Sequence, residues 1–241
     1  MNTNSNSYTF IYAAVMVIVV AAILSSTAIA LKPKQSKNVE IEKKSNILTS
    51  VRQGKDAATV ENKAAYIEEE YDKYITNSYV VNSKGEKIEG VDAFTVDLHK
   101  ELAKPFEERY LPVFESKTSE GSALYVLPVR GKGLWGPIWG YVALESDMNT
   151  IFGAIFDHKG ETPGLGAEIN TDWFQAPFTG KKIFDESGKL VSITIVKGGA
   201  KPDDIHGVDA ISGGTITSKG LEDMLIDNLS IYESFIKNQN K

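Results

Sequence analysis

The chain has 241 residues, 42% of them hydrophobic and 24% charged, with a formal net charge of −6. That length suits one domain plus an anchor or two small domains, and the acidic balance lacks the basic face that nucleic-acid binding requires. Without a single cysteine the chain has no disulfide, thiolate zinc site, iron–sulfur cluster of its own or cysteine nucleophile, and its three histidines lack metal-ligand spacing, so redox chemistry would need an organic cofactor.

After a short tail, residues 1–9, the stretch 10–31 (FIYAAVMVIVVAAILSSTAIAL) carries no charge. A bilayer core takes about 20 apolar residues in helical form, so this stretch predicts one transmembrane helix. Ala28-Ile29-Ala30 resembles a signal-peptidase site, but residues 1–31 contain no Lys or Arg and the apolar run exceeds a usual signal core. The span is therefore expected to be retained. Residues 32–50 read as a charged juxtamembrane linker, with a short helix starting near Ser45. Lys32, Lys34 and Lys37 follow the span directly, and the positive-inside rule alone would keep the remainder in the cytoplasm.

Residues 51–241 read as a soluble α+β domain. Helix formers with apolar positions at Val60, Ala64, Ile67 and Tyr71 predict a helix over 56–75. Residues 79–88 predict a hairpin turning at 82–85. Short apolar runs at 123–129, 138–144 and 150–157 predict strands, and 182–196 predicts a further pair around a turn at 186–188. Their close spacing suggests an antiparallel sheet. A terminal helix is expected from about 219 to 237, with Leu221, Leu225, Leu229, Tyr232 and Ile236 on one face.

Three loops carry candidate chemistry. Residues 131–136 (GKGLWG) match G-x-G-x-x-G, but a dinucleotide fingerprint must open a helix, and here Pro137 and a strand-like run follow. A kinase-type glycine loop lacks its partner motifs. What remains is a turn between strands, in which Trp135 and Trp139 offer walls for a planar ligand. Residues 158–166 (HKGETPGLG) form a constrained loop whose polar groups are Glu161 and Thr162. A plain surface turn is the other reading of that loop. Residues 209–217 (DAISGGTIT) precede the terminal helix, where Gly213 and Gly214 would let an anion approach free N–H groups at the positive dipole end. Lys219 falls outside the Walker A register. Capping by Thr217 or Ser218 is the alternative, and it is compatible with phosphate binding.

In this order, behind one span, the three segments resemble the NqrC family, the C subunits of the sodium-translocating NADH:quinone oxidoreductases. That family carries D-x-x-[ST]-G-A-T, and Asp209, Ser212, Gly213, Gly214 and Thr215 match it except for Gly214, where Ala is usual. His158, Glu161, Thr162, Pro163, Gly164, Leu165 and Gly166 match its H-x-E-T-P-G-L-G stretch, and Leu134 and Trp135 belong to its G-K-G-L-W stretch. The resemblance is clearest over 131–219. It implies an antiparallel FMN-binding domain with flanking helices, its FMN-binding part at about 120–235. It also implies FMN esterified through its phosphate to Thr215, installed by a flavin transferase with FAD as donor. Asp209 and Ser212 are then recognition elements for that enzyme. On the same resemblance, Trp135 and Leu165 are expected against the ring, Glu161 and Thr162 near its polar edge, and Lys197 where it can offset negative charge. The implied role is electron relay among the other subunits of the complex, which oxidises NADH, reduces ubiquinone and moves sodium. The implied place is the cell inner membrane with the domain in the periplasm. On orientation the resemblance is preferred to the lysine rule, because the transferase acts there. The neighbouring alternatives are the G subunit of an Rnf-type ferredoxin:NAD complex and, in another class, a non-catalytic anchored scaffold that binds no flavin.

Overall fold

The computed structural model describes residues 5–239. The chain divides into two units, Met1–Lys43 and Lys44–Lys241. A single helix, α1 (Asn6–Ser50), contains the predicted span and continues through 32–50, where a linker was expected. The physical reason is that Pro33 removes one backbone hydrogen bond, while the Lys- and Glu-rich residues after it are good helix formers. A Lys37–Glu40 ion pair at 3.3 Å adds a little on the same helix. Within the first unit Phe10, Val17, Ile18, Ile23, Leu24 and Ile29 are exposed, and the helix is long and apolar enough to cross a membrane.

The second unit is built on a six-stranded antiparallel sheet in the order β2-β1-β3-β4-β5-β6. Its strands are β1 (Ile75–Val81), β2 (Lys87–Ile88), β3 (Leu111–Lys117), β4 (Ala123–Lys132), β5 (Pro137–Leu144) and β6 (Ile151–His158). The β1–β2 hairpin turns where expected. Gly85, at φ +76°, closes it by donating to the Asn82 carbonyl at 2.9 Å. Inward residues alternate between the two faces, as a strand's period of two demands. Val113, Leu127, Val142 and Leu144 enter one core, and Phe114, Val126, Tyr141 and Ala143 the other.

The first core is roofed by α5 (Thr215–Ile231) and α6 (Glu233–Gln239), through Leu221, Leu225, Leu229, Tyr232 and Ile236. The second is closed by Ile47 at the end of α1, by Val51 and, partly buried, by Tyr71. Tyr71 belongs to α2 (Lys63–Tyr74). This helix starts later than expected because the Asn62 side chain caps it, accepting from the Ala65 N–H at 3.2 Å. Two short helices, α3 (Leu98–Leu102) and α4 (Asp172–Gln175), complete the set.

The predicted strand pair at 182–196 is only partly formed. Phe184 and Leu190 make a single bridge around the expected turn. The following strand β7 (Thr194–Val196) instead pairs in parallel with β8 (Gly207–Asp209). This small parallel sheet brings the chain to the start of α5.

Candidate functional site

Three loops meet at the N-terminal end of α5, and glycines permit the approach. A Cβ at Gly220 would strike the Lys132 carbonyl oxygen, and one at Gly131 would lie 2.6 Å from the Met224 Cβ. Helix α5 therefore seats directly on the β4–β5 hairpin. That hairpin is the 131–136 segment, which is confirmed as a turn between strands.

Glu161 joins the three loops. It is 5% exposed. Its Oε1 accepts from the Trp135 backbone N–H at 2.8 Å, and its Oε2 accepts from the Thr217 hydroxyl at 2.6 Å. Its own N–H donates to His158 Nδ1 at 3.1 Å. In neutral histidine this places the ring proton on Nε2, which is buried without a partner among the described residues. Both carboxylate oxygens are thus engaged by the protein. The packing around them is close, since a Cβ at Gly133 would lie 2.6 Å from Oε1 and one at Gly166 would overlap Oε2 and the Thr217 hydroxyl.

The loop after β6 is braced from below. The Thr162 carbonyl accepts from the Leu165 and Ala167 N–H groups, each at 3.1 Å, while its side chain is exposed. The Gly164 N–H, at φ +75°, donates to Glu168 Oε1 at 3.0 Å. Leu165 is half exposed and leans over the turn before α5, where a Cβ on Gly213 would lie 2.6 Å from its Cδ2.

Helix α5 begins at Thr215, four residues before the expected start. Gly214 is its N-cap and no side chain caps it. Thr217 and Ser218 lie inside the helix and are buried, so neither caps it. Ser218 Oγ instead accepts from the Ile211 N–H at 3.1 Å. Thr215 is exposed at the first helical position. The departure at Gly214 has a steric reason, because a Cβ there would lie 2.9 Å from Ile211 Cγ2. The same three segments carry solvent-exposed apolar side chains: Leu134, Trp135 (69% exposed), Leu165 and Ile216.

Asp209 and Lys197 lie at the adjoining end of the small parallel sheet. Val196 pairs with Asp209, whose carboxylate accepts from the Ala200 N–H at 2.7 Å across the Gly198-Gly199 turn. Lys197 is exposed, and Ser212 is exposed in the turn before α5. No hydrogen bond or ion pair links Asp209 or Lys197 to the Glu161 cluster among the described residues.

Thr217 is the residue that sequence reasoning missed as Glu161's partner. The only available signal was a second Thr two positions after Thr215, opposite a glycine-bounded glutamate.

The arrangement fits a phosphate and a planar ring. An uncapped N-terminus of a 17-residue helix offers N–H groups and a positive dipole to an anion. An exposed Trp with three exposed aliphatic side chains is a surface that water disfavours and an aromatic ligand would cover.

Comparison with known proteins points the same way. Residues 133–230 match the FMN-binding domain family. The chain is 33% identical over 221 residues to the C subunit of the Na(+)-translocating NADH-quinone reductase of Vibrio vulnificus, covering 85% of this chain and 83% of that protein. The crystal structure of the C subunit of the same reductase from Parabacteroides distasonis superposes with a TM-score of 0.74 at 43% identity, covering 86% of this chain and 96% of that one. That of Shewanella oneidensis NqrC gives 0.69 at 27% identity, covering 83% and 97%.

Proposed function

The chain belongs to the NqrC family, the C subunits of the Na+-translocating NADH-quinone reductases, and from that premise we propose that it relays electrons through FMN esterified by its phosphate to Thr215. The observation that carries the reading is the placement of Thr215. It is exposed at the first position of an uncapped helix, two residues before the Thr217 that Glu161 ties to the Trp135 turn.

Attachment is a transfer in which the Thr215 hydroxyl displaces AMP from FAD. A phosphoester forms as the phosphoanhydride breaks, and the hydroxyl proton leaves to a base. A threonine hydroxyl is a poor nucleophile without an adjacent base. The described cluster holds none aimed at Thr215, because Glu161 is committed to Trp135 and Thr217. A separate flavin transferase fills that need, with the exposed Asp209 and Ser212 as its recognition elements. Bound FMN supplies one- and two-electron chemistry that no side chain of this chain provides.

The protein's own contribution is positional. The α5 terminus would offer N–H groups to the phosphate, and Trp135 with Leu165 would hold the ring. Thr162 stands at the loop's polar rim, and Lys197 lies where the small sheet ends. His158 and Gly164 shape the loop that presents Leu165. The partners are the other subunits of the complex. Helix α1 is the single membrane span, and the second unit lies on the periplasmic side of the inner membrane.

The test is co-expression with a flavin transferase, followed by denaturing electrophoresis. The native chain gives a fluorescent band and Thr215→Ala gives none. A dark native band beside a fluorescent control substrate would overturn the reading.

A further inference from the structure

We propose that Glu161 and Thr217 act as a positioning clamp that fixes Thr215 relative to the Trp135 loop, so that the acceptor hydroxyl and the ring platform are held in register. The inference rests on the reading that Thr215 receives FMN.

Thr215 and Thr217 occupy the first and third positions of α5. The helical turn is rigid once its tertiary contacts are made, so whatever locates Thr217 also locates Thr215. The docking of α5 on the β4–β5 hairpin sets the helix as a whole, and at its N-terminal turn the one side-chain hydrogen bond of Thr217 among the described residues is its hydroxyl donating to Glu161 Oε2 at 2.6 Å. The other oxygen of the same carboxylate receives the Trp135 N–H at 2.8 Å. One planar group thereby spans from the helix to the β4–β5 turn, and both of its ends are used.

Two features make this a locating device. Glycines on both sides leave space for the carboxylate and for little else. A Cβ at Gly166 would overlap Oε2 and the Thr217 hydroxyl together, and one at Gly133 would press on Oε1. The bond also closes a loop of 56 residues in sequence separation inside a buried environment, where a directional bond to a charged acceptor is strengthened. Among the described residues the N-terminus has no other side-chain anchor of this kind, because Gly214 offers no cap. Ser218 holds only the preceding turn, through Ile211.

The test uses the full-length, unlabelled chain in detergent with a flavin transferase and FAD. The rate of covalent labelling is read by in-gel fluorescence, and folding is read by circular dichroism melting. Thr217→Val keeps the shape and removes the donor. It is expected to slow labelling roughly tenfold or more, because small displacements of reacting groups are costly. Thr217→Ser restores the bond and should label at close to the native rate. The labelled Thr217→Val fraction should show a shifted flavin midpoint potential, which loss of stability alone would not produce. If Thr217→Val has no cooperative melt, Glu161→Gln decides, since an amide offers one acceptor oxygen to two donors. Slowed labelling supports the clamp, and a native rate overturns it. Native labelling and potential in a folded Thr217→Val would overturn the clamp and leave the Thr215 reading standing. A native chain that stays dark while a control substrate is labelled would remove both.

Discussion

At the scale of single residues, the site depends on positions where a side chain is absent. Gly166→Ala would drive a methyl into the Glu161–Thr217 contact. Overpacking of this kind typically costs about 1–3 kcal/mol. The expected outcome is a lower midpoint in urea denaturation together with slowed FMN labelling. An unchanged midpoint would mean that the loop relaxes freely around the added methyl. Much of the site was legible at this scale. The run from Asp209 to Thr215 announces a glycine-lined approach to a helix terminus, and the 158–166 loop announces constrained backbone. The Glu161–Thr217 bond was not legible, because its partners are 56 residues apart and a threonine beside a helix start reads first as a cap. For the same reason Glu161 was expected at the ring's edge. Its burial follows from loop packing that no local pattern encodes.

At the scale of elements, turn chemistry and helix docking each have a measurable contribution. Tyr232 is fully buried at the end of α5, and its hydroxyl donates to the Pro112 carbonyl of β3 at 2.9 Å. Tyr232→Phe removes that bond, with an expected loss of about 1 kcal/mol on thermal or urea unfolding. A smaller contribution stands in the β5–β6 turn. Burial pushes the Asp147 carboxyl up, but hydrogen bonds from the Thr150 hydroxyl and N–H and the Asn149 N–H, with the Lys182 charge, together bring it below the ordinary value. A carboxyl lowered in the folded state contributes stability that is present above its unfolded value and is lost as pH falls through its folded value. Asp147→Asn should therefore be less stable than the native chain at neutral pH. The gap should begin to narrow as pH falls through the ordinary carboxyl value of about 4, where the unfolded chain takes up its proton, and go on narrowing until the native carboxyl, which lies lower, is protonated as well. A gap independent of pH would contradict the assignment.

Element identity was legible where periodicity ran unbroken, as in β4 to β6 and the buried face of α5. It failed at β3, where Pro112 and the charged residues of LPVFESK obscure the alternation. At β7 the strand was legible but its pairing was not, because the parallel partner β8 lies beyond an intervening loop.

At the scale of the whole molecule, the two units present different surfaces. The apolar side chains of α1 between Phe10 and Leu31 are exposed to the surroundings and suit a bilayer. The second unit carries its own two cores. A chain beginning at Lys44 is accordingly expected to be soluble without detergent and to keep a cooperative melt, whereas the full chain partitions with membranes. Aggregation of the shortened chain, or loss of its melt, would show that the first unit is needed for folding. The apolar helix itself was plain in the sequence, since nothing charged interrupts 10–31. Its helical continuation to Ser50 was hidden by Pro33 and the charge run after it.

Everything proposed for the molecule turns on Thr215 as the point where the flavin is held, and peptide mass mapping reads that point without an intermediary. The native chain, labelled by a flavin transferase, is digested with trypsin and the fragment containing Thr215 is sequenced by tandem mass spectrometry. This fragment is expected to gain the mass of one FMN less one water, localised to Thr215, and Thr215→Ala should leave every fragment unmodified. An unmodified fragment beside a labelled control substrate, or FMN localised to Ser212 or Thr217, would contradict attachment at Thr215.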